Sequence, residues 1–263
     1  MGQTCKETPW KQRLTGLTKN CRFQLGCERI GMFKDRRRAS SGISWSRTRI
    51  EGILFDVDGT LTNSIEAYYD VFREVTHRFG IEIRREDVLE PMATGSLIWN
   101  RIIPEDSPGR DEKIKQLMSA IPEVYQEVFQ RVLPFPEVRA VLKKLDEQKI
   151  KLGVLTSSRG TAVRPLYNHS LSHYFEVIMT REEGFSPKPE PDGILECLRR
   201  MKVQPDHAIT IGDTPLDIRA GKAAGTLTIG VLSGIGTQAQ LEAEAPTAII
   251  KDISQLLPLL NLK

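Results

Sequence analysis

The sequence has no long uninterrupted run of apolar residues. A membrane-spanning helix needs about eighteen or more such residues, whereas the most apolar runs here, residues 52–55 and 152–155, have only the length of a strand. The composition, 40% hydrophobic and 27% charged over 263 residues, is ordinary for a globular protein. We therefore expect a soluble protein with no membrane partner.

Cysteine is also scarce, and the four cysteines are Cys5, Cys21, Cys27 and Cys197. Their wide and irregular spacing contains no C-x-x-C pair with a nearby His, so it matches no zinc-site pattern. The single late cysteine cannot build a disulfide framework. We therefore expect reduced thiols and a cytoplasmic location.

Outside the first fifty residues, the chain has no excess of positive charge. Residues 1–50 contain twelve Lys or Arg against three Asp or Glu, a net charge of +9, and the remaining residues therefore carry −6 because the whole chain carries +3. The basic segment 1–49 lacks regular aromatic interleaving, so we expect a disordered leader and no nucleic-acid partner. An organelle transit peptide, a tail and an upstream start-site artefact all fit this leader.

From Arg49 onward, short apolar strands alternate with amphipathic helices, a pattern typical of α/β proteins with a Rossmann-like parallel sheet covered by helices on both faces. The predicted strands are residues 50–57, 151–156, 175–179, 208–211, 226–231 and 247–250. The predicted helices between them include residues 136–148, 189–201, 214–224 and 238–244.

One connection is too long for a simple crossover between parallel strands. More than ninety residues separate the first two predicted strands, and residues 64–131 favour several helices without a strand. We therefore predict a helical subdomain at residues 66–131, inserted into a core made of residues 50–65 and 132–263. The Pro-bounded residues 133–136 are typical of a hinge at its exit.

Two carboxylates, Asp56 and Asp58, follow the first strand in the run I-L-F-D-V-D-G-T-L. Ligands of an open parallel sheet bind beyond the carboxyl ends of its strands. Alternate residues face the same way, so both carboxylates can meet one substrate, while Gly59 permits a tight turn. A solvated loop with helix-capping Asp residues is the alternative interpretation.

A second acidic motif, G-D-T-P-L-D at residues 212–217, follows another apolar strand. Asp213 is expected at the sheet edge, where it can join Asp56 on a metal, and carboxylate oxygens suit Mg²⁺. Alternatively, Asp213 is a helix N-cap and Asp217 a first-turn residue favoured by the helix dipole.

Two further motifs add hydroxyl groups and a cation. The strand 151–156 ends in T-S-S, so Thr156 and Ser157 can offer hydroxyls and loop amides to a phosphoryl oxygen. Lys188 lies in S-P-K-P-E-P, where flanking prolines fix the backbone, which favours a positioned counter-charge over a solvated surface lysine.

The order and type of these motifs resemble those of the haloacid dehalogenase superfamily, over roughly residues 50–260. Residues 56–60 match its first motif, D-x-D-G-T, Thr156 its second, Lys188 its third and residues 212–217 its acidic fourth. The helical insert resembles the family's C1 cap, near the phosphoglycolate phosphatase and pyrophosphatase branch. Asn63 stands where an Asp is common in that branch, which weakens the branch assignment more than the chemistry.

This resemblance implies a mechanism. Asp56 is the nucleophile and forms an aspartyl-phosphate, and Asp58 first protonates the leaving oxygen and then deprotonates the attacking water. Mg²⁺ is held by Asp56, Asp213 and the main-chain carbonyl of Asp58, and Thr156 and Lys188 complete the phosphate cradle.

The remaining expected site residues have supporting roles. Asp217 belongs to the metal site, where it orients Lys188 or a metal-bound water, and Thr60 and Ser157 belong to the substrate-binding set. In the cap, Thr94, Gly95 and Ser96 form a candidate specificity loop. Arg101 and Trp99 either face the organic part of the substrate or are a surface charge and a cap core residue.

The resemblance thus implies a Mg²⁺-dependent phosphatase acting on a small phosphorylated metabolite, either a phosphoglycolate-like ester or a pyrophosphate-like anhydride. A sugar phosphomutase of the same fold and a non-catalytic phosphate-binding regulatory protein are the alternatives. The sequence leaves open whether the protein is a monomer or a homodimer.

Overall fold

The computed structural model describes residues 49–262, and the expectations for the basic leader and its three cysteines concern residues that lie outside this range. Within it, the strands of one parallel sheet are β1 (Gly52–Phe55), β2 (Lys151–Leu155), β3 (Val177–Met179), β4 (Ala208–Gly212), β5 (Leu227–Val231) and β6 (Ala248–Ile250). Their order is β3-β2-β1-β4-β5-β6. The predicted strands and the Rossmann-like fold are confirmed.

The α-helices of the described residues are α1 (Ile65–Arg78), α2 (Arg85–Thr94), α3 (Ile98–Ile102), α4 (Arg110–Phe129), α5 (Val138–Glu147), α6 (Arg164–Asn168), α7 (Asp192–Met201), α8 (Pro215–Ala224), α9 (Gln238–Ala243) and α10 (Leu256–Leu259). None of them combines the length and the hydropathy that crossing a membrane requires.

Both faces of the sheet are buried under helices, because side chains alternate between the faces of a strand. On β1, Ile53 packs in a cluster with Leu142 of α5, whereas Leu54 packs in a second cluster with Leu198 of α7. The second cluster also contains the free Cys197. Burial raises the pKa of its thiol to about 12. That thiol is therefore protonated at neutral pH.

The helices α1–α4 lie between β1 and β2 and have their own apolar cluster, to which Val71 and Val75 of α1 and Leu117 and Val124 of α4 contribute. We call residues 65–129 the helical insert. The chain enters and leaves it side by side: the Asn63 N–H donates to the Leu133 carbonyl at 3.0 Å, and the Phe135 N–H donates to the Leu61 carbonyl at 3.0 Å.

Candidate active site

The carboxyl ends of three adjacent strands bring polar residues together. Asp56 follows β1 and Thr156 follows β2, while Asp213 follows β4. Because β1 pairs with both β2 and β4, these residues meet at one edge of the sheet. A cavity of about 190 Å³ opens there, and the predicted site residues in its wall are Asp56, Asp58, Thr156, Ser157, Lys188, Asp213 and Asp217. We call it the catalytic cavity.

The carboxylate of Asp58 is held by three hydroxyl groups. The Ser64 hydroxyl donates to Oδ1 at 2.7 Å, and the hydroxyls of Tyr68 and Ser158 each lie 2.9 Å from Oδ2. Burial raises the pKa of Asp58 above its usual value, and the three hydrogen bonds only partly oppose that rise. Asp58 can therefore carry a proton at a higher pH than an ordinary aspartate.

Neither Tyr68 nor Ser158 is among the site residues predicted from the sequence. They lie 10 and 100 positions from Asp58 in the chain, so only the fold shows that they share its Oδ2 atom. Tyr68 comes from α1, so a residue of the helical insert contacts the acidic pair directly.

The ammonium of Lys188 bridges two carboxylates. Its Nζ donates to Asp56 Oδ1 and to Asp217 Oδ1, both at 2.6 Å, and to the Leu155 carbonyl at 3.0 Å. Burial alone would lower the pKa of Lys188, but the carboxylates of Asp217 and Asp56 raise it above its usual range. Lys188 therefore stays charged, in agreement with its predicted role as a positioned counter-charge.

Asp217 was expected to orient either Lys188 or a metal-bound water, and it contacts Lys188. One of its oxygens accepts from Lys188, and the other accepts from the N–H of Thr214 at 3.0 Å and its hydroxyl at 2.6 Å. Both oxygens are thus engaged, so Asp217 orients Lys188 instead of ligating a metal. The alternative that Asp213 caps the N-terminus of α8 is wrong, because Thr214 is the N-cap residue.

The carboxylate of Asp213 is buried without a counter-charge of its own. Its Oδ2 accepts from the Ile235 N–H at 2.8 Å, and within the described residues its Oδ1 has no hydrogen-bond donor. Burial raises the pKa of Asp213 well above its usual value, and the carboxylates of Asp217 and Asp56 add to the rise. An unpaired carboxylate oxygen beside further carboxylates fits a hard divalent cation.

Side chains alone do not complete such a site. No three His, Cys, Asp or Glu side chains of residues 49–262 converge on one point as a metal cluster. A cation here would need Asp56 and Asp213 together with main-chain oxygens or water, a donor set that suits Mg²⁺, which usually keeps several waters. The carboxylates thus fit a magnesium ion held by few protein ligands.

The comparison with known protein families decides what kind of protein has this site. A family model described as haloacid dehalogenase-like hydrolase matches residues 53–231, more than half of the chain. This chain belongs to the haloacid dehalogenase-like hydrolases. The family resemblance inferred from the four motifs is confirmed.

Individual relatives agree with this assignment. The chain is 28% identical over 215 residues to pyrophosphatase PpaX of Bacillus mycoides (strain KBAB4), covering 81% of this chain and 98% of that protein. A predicted phosphoglycolate phosphatase from Haemophilus somnus 129pt has a TM-score of 0.72 at 22% identity, covering 81% and 99%. A β-phosphoglucomutase from Clostridium difficile has a TM-score of 0.66 at 21% identity, covering 81% and 97%. These two structures show a shared fold.

The loop 233–236, which holds Asp213 of this hydrolase in place, was not among the residues predicted for the site. Besides the Ile235 N–H, the Gly236 N–H donates to the Asp213 carbonyl at 3.1 Å, and the Ser233 hydroxyl donates to the Gly59 carbonyl at 2.7 Å. A Cβ atom on Gly234 would lie 1.8 Å from Asp213 Oδ2. The two closely spaced glycines after β5 were the available signal.

Three hydroxyl residues predicted near the phosphate have different surroundings. Thr156 and Ser157 lie on the wall of the catalytic cavity, and the buried Ser157 Oγ has no hydrogen-bond partner. Thr60 is 1% exposed, does not line that cavity, and its Oγ1 is also buried without a partner. Thr60 is therefore a buried turn residue outside the wall of the catalytic cavity, and its contact with substrate stays a prediction.

The expected specificity residues of the helical insert, Thr94, Gly95, Ser96 and Arg101, do not line the catalytic cavity either. The hydroxyls of Thr94 and Ser96 lie 3.0 Å apart, Gly95 ends α2 beside Leu216, and Arg101 pairs with Glu90.

Other residues of the helical insert reach the wall of the catalytic cavity, namely Ile65, Tyr68 and Met92. Trp99 was expected either to face the substrate or to be a cap core residue. It packs on Phe72, with ring centroids 5.6 Å apart. It belongs to the apolar core of the insert.

Replacing Gly234 with Ala should weaken divalent-cation binding, because the new Cβ would collide with Asp213 Oδ2. Changes in the residues that orient a metal ligand typically cost about 10- to 100-fold in affinity or activity. Isothermal titration with Mg²⁺ measures the effect. Gly160→Ala is the matched control because a Cβ there meets nothing within 4 Å, and equal Mg²⁺ affinity in both variants would contradict the assigned role of the loop.

The stability of the metal-free protein should decrease as pH rises from about 4 to about 7. Burial is the main cause that raises the pKa of Asp56 to about 7 from 3.8, opposed by Lys188, and the pKa of Asp213 also rises. The folded state therefore binds more protons than the unfolded state over this range, which makes the slope negative. Lys188 stays charged throughout and adds no slope.

Thermal unfolding in chelator measures this dependence. Asp213→Asn should unfold at a higher temperature than wild type at pH 7.5 and should show a flatter pH dependence. It should also lose the stabilisation that Mg²⁺ gives to wild type. The charge-crowding argument would be refuted if, between pH 5 and pH 7 without metal, the stability of the wild type did not fall relative to that of Asp213→Asn.

Proposed function

We propose that this haloacid dehalogenase-like hydrolase is a Mg²⁺-dependent phosphatase that acts on a small phosphorylated metabolite through phosphorylation of Asp56. The observation that supports it best is the Lys188 bridge. The Lys188 ammonium lies 2.6 Å from both Asp56 and Asp217 and holds the buried Asp56 carboxylate at the strand edge. Within the described residues, the second oxygen of Asp56 accepts no side-chain hydrogen bond. A fixed, desolvated carboxylate beside a cation is suited to attack on phosphorus.

In the first step, an oxygen of Asp56 forms a bond to phosphorus as the bond from phosphorus to the leaving oxygen breaks. Asp58 gives its proton to that leaving oxygen. In the second step, the Asp58 carboxylate takes a proton from water, the water oxygen bonds to phosphorus, and the bond to Asp56 breaks to release phosphate. The raised pKa of Asp58 supports its role as the proton donor.

The other residues of the site balance charge and orient groups. Lys188 favours the ionised form of Asp56 against the effect of burial and is placed to face the phosphoryl group, while Asp217 fixes Lys188. The free hydroxyl of Ser157 is available to a phosphoryl oxygen. When bound, Mg²⁺ held by Asp56, Asp213 and the Asp58 main-chain carbonyl supplies further neutralisation of the phosphoryl charge.

The cap predicted at residues 66–131 corresponds to the helical insert, which is proposed to cover this active site. Ile65, Tyr68 and Met92 reach the catalytic cavity from α1 and α2, so closure would exclude water from the reacting groups. The two chain segments that enter and leave the insert are hydrogen-bonded through Asn63 and Leu133 and are a suitable hinge.

We favour hydrolysis over phosphoryl transfer between two sugar positions, because the relative at 28% identity is named a pyrophosphatase. The phosphomutase likeness, at 21% identity, concerns the fold alone. A phosphoglycolate-like ester and a pyrophosphate-like anhydride are both compatible with the strand-edge residues, since these contact only the phosphoryl group. A cytoplasmic location and a monomeric or homodimeric state remain predictions.

Asp56→Asn should abolish turnover while leaving the fold intact. Loss of a nucleophile removes most of the rate enhancement, so we expect a decrease in kcat of roughly 10³-fold or more. Phosphate release from an aryl phosphate with Mg²⁺ measures it, and beryllium fluoride should be trapped by wild type only. Asp146→Asn, a change at an exposed residue of α5, is the control. Near-normal hydrolysis by Asp56→Asn would remove Asp56 from the nucleophile role.

A further inference from the structure

A second, larger cavity adjoins the catalytic cavity. Its volume is about 580 Å³, and it shares Tyr68, Ser157 and Ser158 with the wall of the catalytic cavity. It extends from these residues between α4 and the segments that follow β2 and β3. A group bound to a phosphoryl at Asp56 can therefore pass these three residues into the larger space. We call it the distal cavity.

One wall of the distal cavity is apolar and comes from α4, with Met118, Ile121 and Tyr125. Met118 is 54% exposed although it is a large apolar side chain. The ring of Tyr125 is fixed, because it stacks on Phe129 at 3.7 Å between centroids and lies edge-on to Tyr68 at 6.0 Å. This wall thus offers a rigid ring and apolar surface to a planar or apolar ligand.

The opposite wall carries positive charge, from Arg159 and Arg181. Both arginines are exposed, and within residues 49–262 neither forms a salt bridge, although Arg159 lies close enough to Glu182 to attract its carboxylate. The carboxylate in this wall, Glu182, is engaged elsewhere: it accepts from the Thr180 hydroxyl at 2.7 Å and from the Gly160 N–H at 3.1 Å. Two guanidinium groups therefore remain available, and guanidinium recognises carboxylate and phosphate groups.

The hydroxyl of Ser157 marks the passage between the two cavities. It lines both, and its Oγ is buried without a hydrogen-bond partner in the described residues. Buried polar atoms in folded proteins are nearly always paired, so this hydroxyl is free to pair with water or with a ligand atom. That ligand atom would lie between the catalytic residues and the distal cavity.

We propose that the distal cavity binds the leaving group, and that it selects phosphate esters whose leaving group has an apolar or planar body and ends in a carboxylate or a second phosphate. This inference rests on the proposed phosphatase function. Inorganic pyrophosphate leaves the apolar wall of α4 without a partner, because its leaving group is phosphate alone. The preferred substrate is therefore an organic ester with a distal anion.

Two substrates of matched shape test the charge requirement: 4-carboxyphenyl phosphate and its neutral analogue 4-carbamoylphenyl phosphate. Wild type should hydrolyse the carboxylate with a kcat/KM about tenfold higher or more, because a hydrogen bond to a charged group is worth roughly 1.5–3 kcal/mol. Arg159→Gln and Arg181→Gln should each reduce that ratio, because the loss of the guanidinium affects the carboxylate substrate more than the neutral analogue. Arg164→Gln, an exposed arginine outside the cavity wall, should leave the ratio as in wild type.

Equal kcat/KM for the two substrates in wild type would overturn the inference, as would a variant in which both values fall by the same factor. Pyrophosphate hydrolysed faster than either ester would also overturn it and would leave the phosphatase function standing. If no phosphate is released from the esters, from pyrophosphate or from 4-nitrophenyl phosphate, the proposed function itself fails.

Discussion

The site depends on one ammonium group placed among buried carboxylates. Lys188 contacts Asp56 and Asp217 at 2.6 Å, while Asp213 and Asp58 are buried nearby with raised pKa values. Like charges at such positions repel one another, and burial penalises each charged form. The apolar packing on the two faces of the sheet must offset this cost for the protein to remain folded.

The sheet topology makes this crowding possible. Because β1 lies between β2 and β4, residues far apart in the chain reach one edge without long side chains. The loop after β5 then approaches the edge so closely that Gly234 leaves no room for a Cβ atom beside Asp213. The strand ends thus bring the carboxylates of Asp56 and Asp213 together, and the neighbouring loop backbone fixes the direction in which the Asp213 carboxylate points.

The sequence predicted the strands, the family and those residues of the catalytic cavity that belong to the four motifs, because hydrophobic periodicity locates strand ends and most of the motifs lie directly after them. It could not predict side-chain partners in the helical insert. Arg101 and Thr94 are polar residues in a plausible loop, yet one pairs with Glu90 and the other contacts Ser96. Tyr68 looked like an ordinary helix residue, and only the packing of α1 on the core brings it to Asp58.

The partners of Asp58 place this residue, the proposed proton donor, at the boundary between the two cavities. Tyr68 and Ser158 hold its Oδ2 at 2.9 Å, and both also line the catalytic and the distal cavity. The scissile bond of a phosphate ester joins phosphorus to the leaving oxygen. With the phosphoryl group at Asp56 and the leaving group in the distal cavity, as proposed, the oxygen that needs a proton would lie at this boundary. The hydroxyls that orient Asp58 thus line the path proposed for the leaving group. A change in the position of α1 would therefore alter proton transfer and leaving-group binding together, since Tyr68 takes part in both.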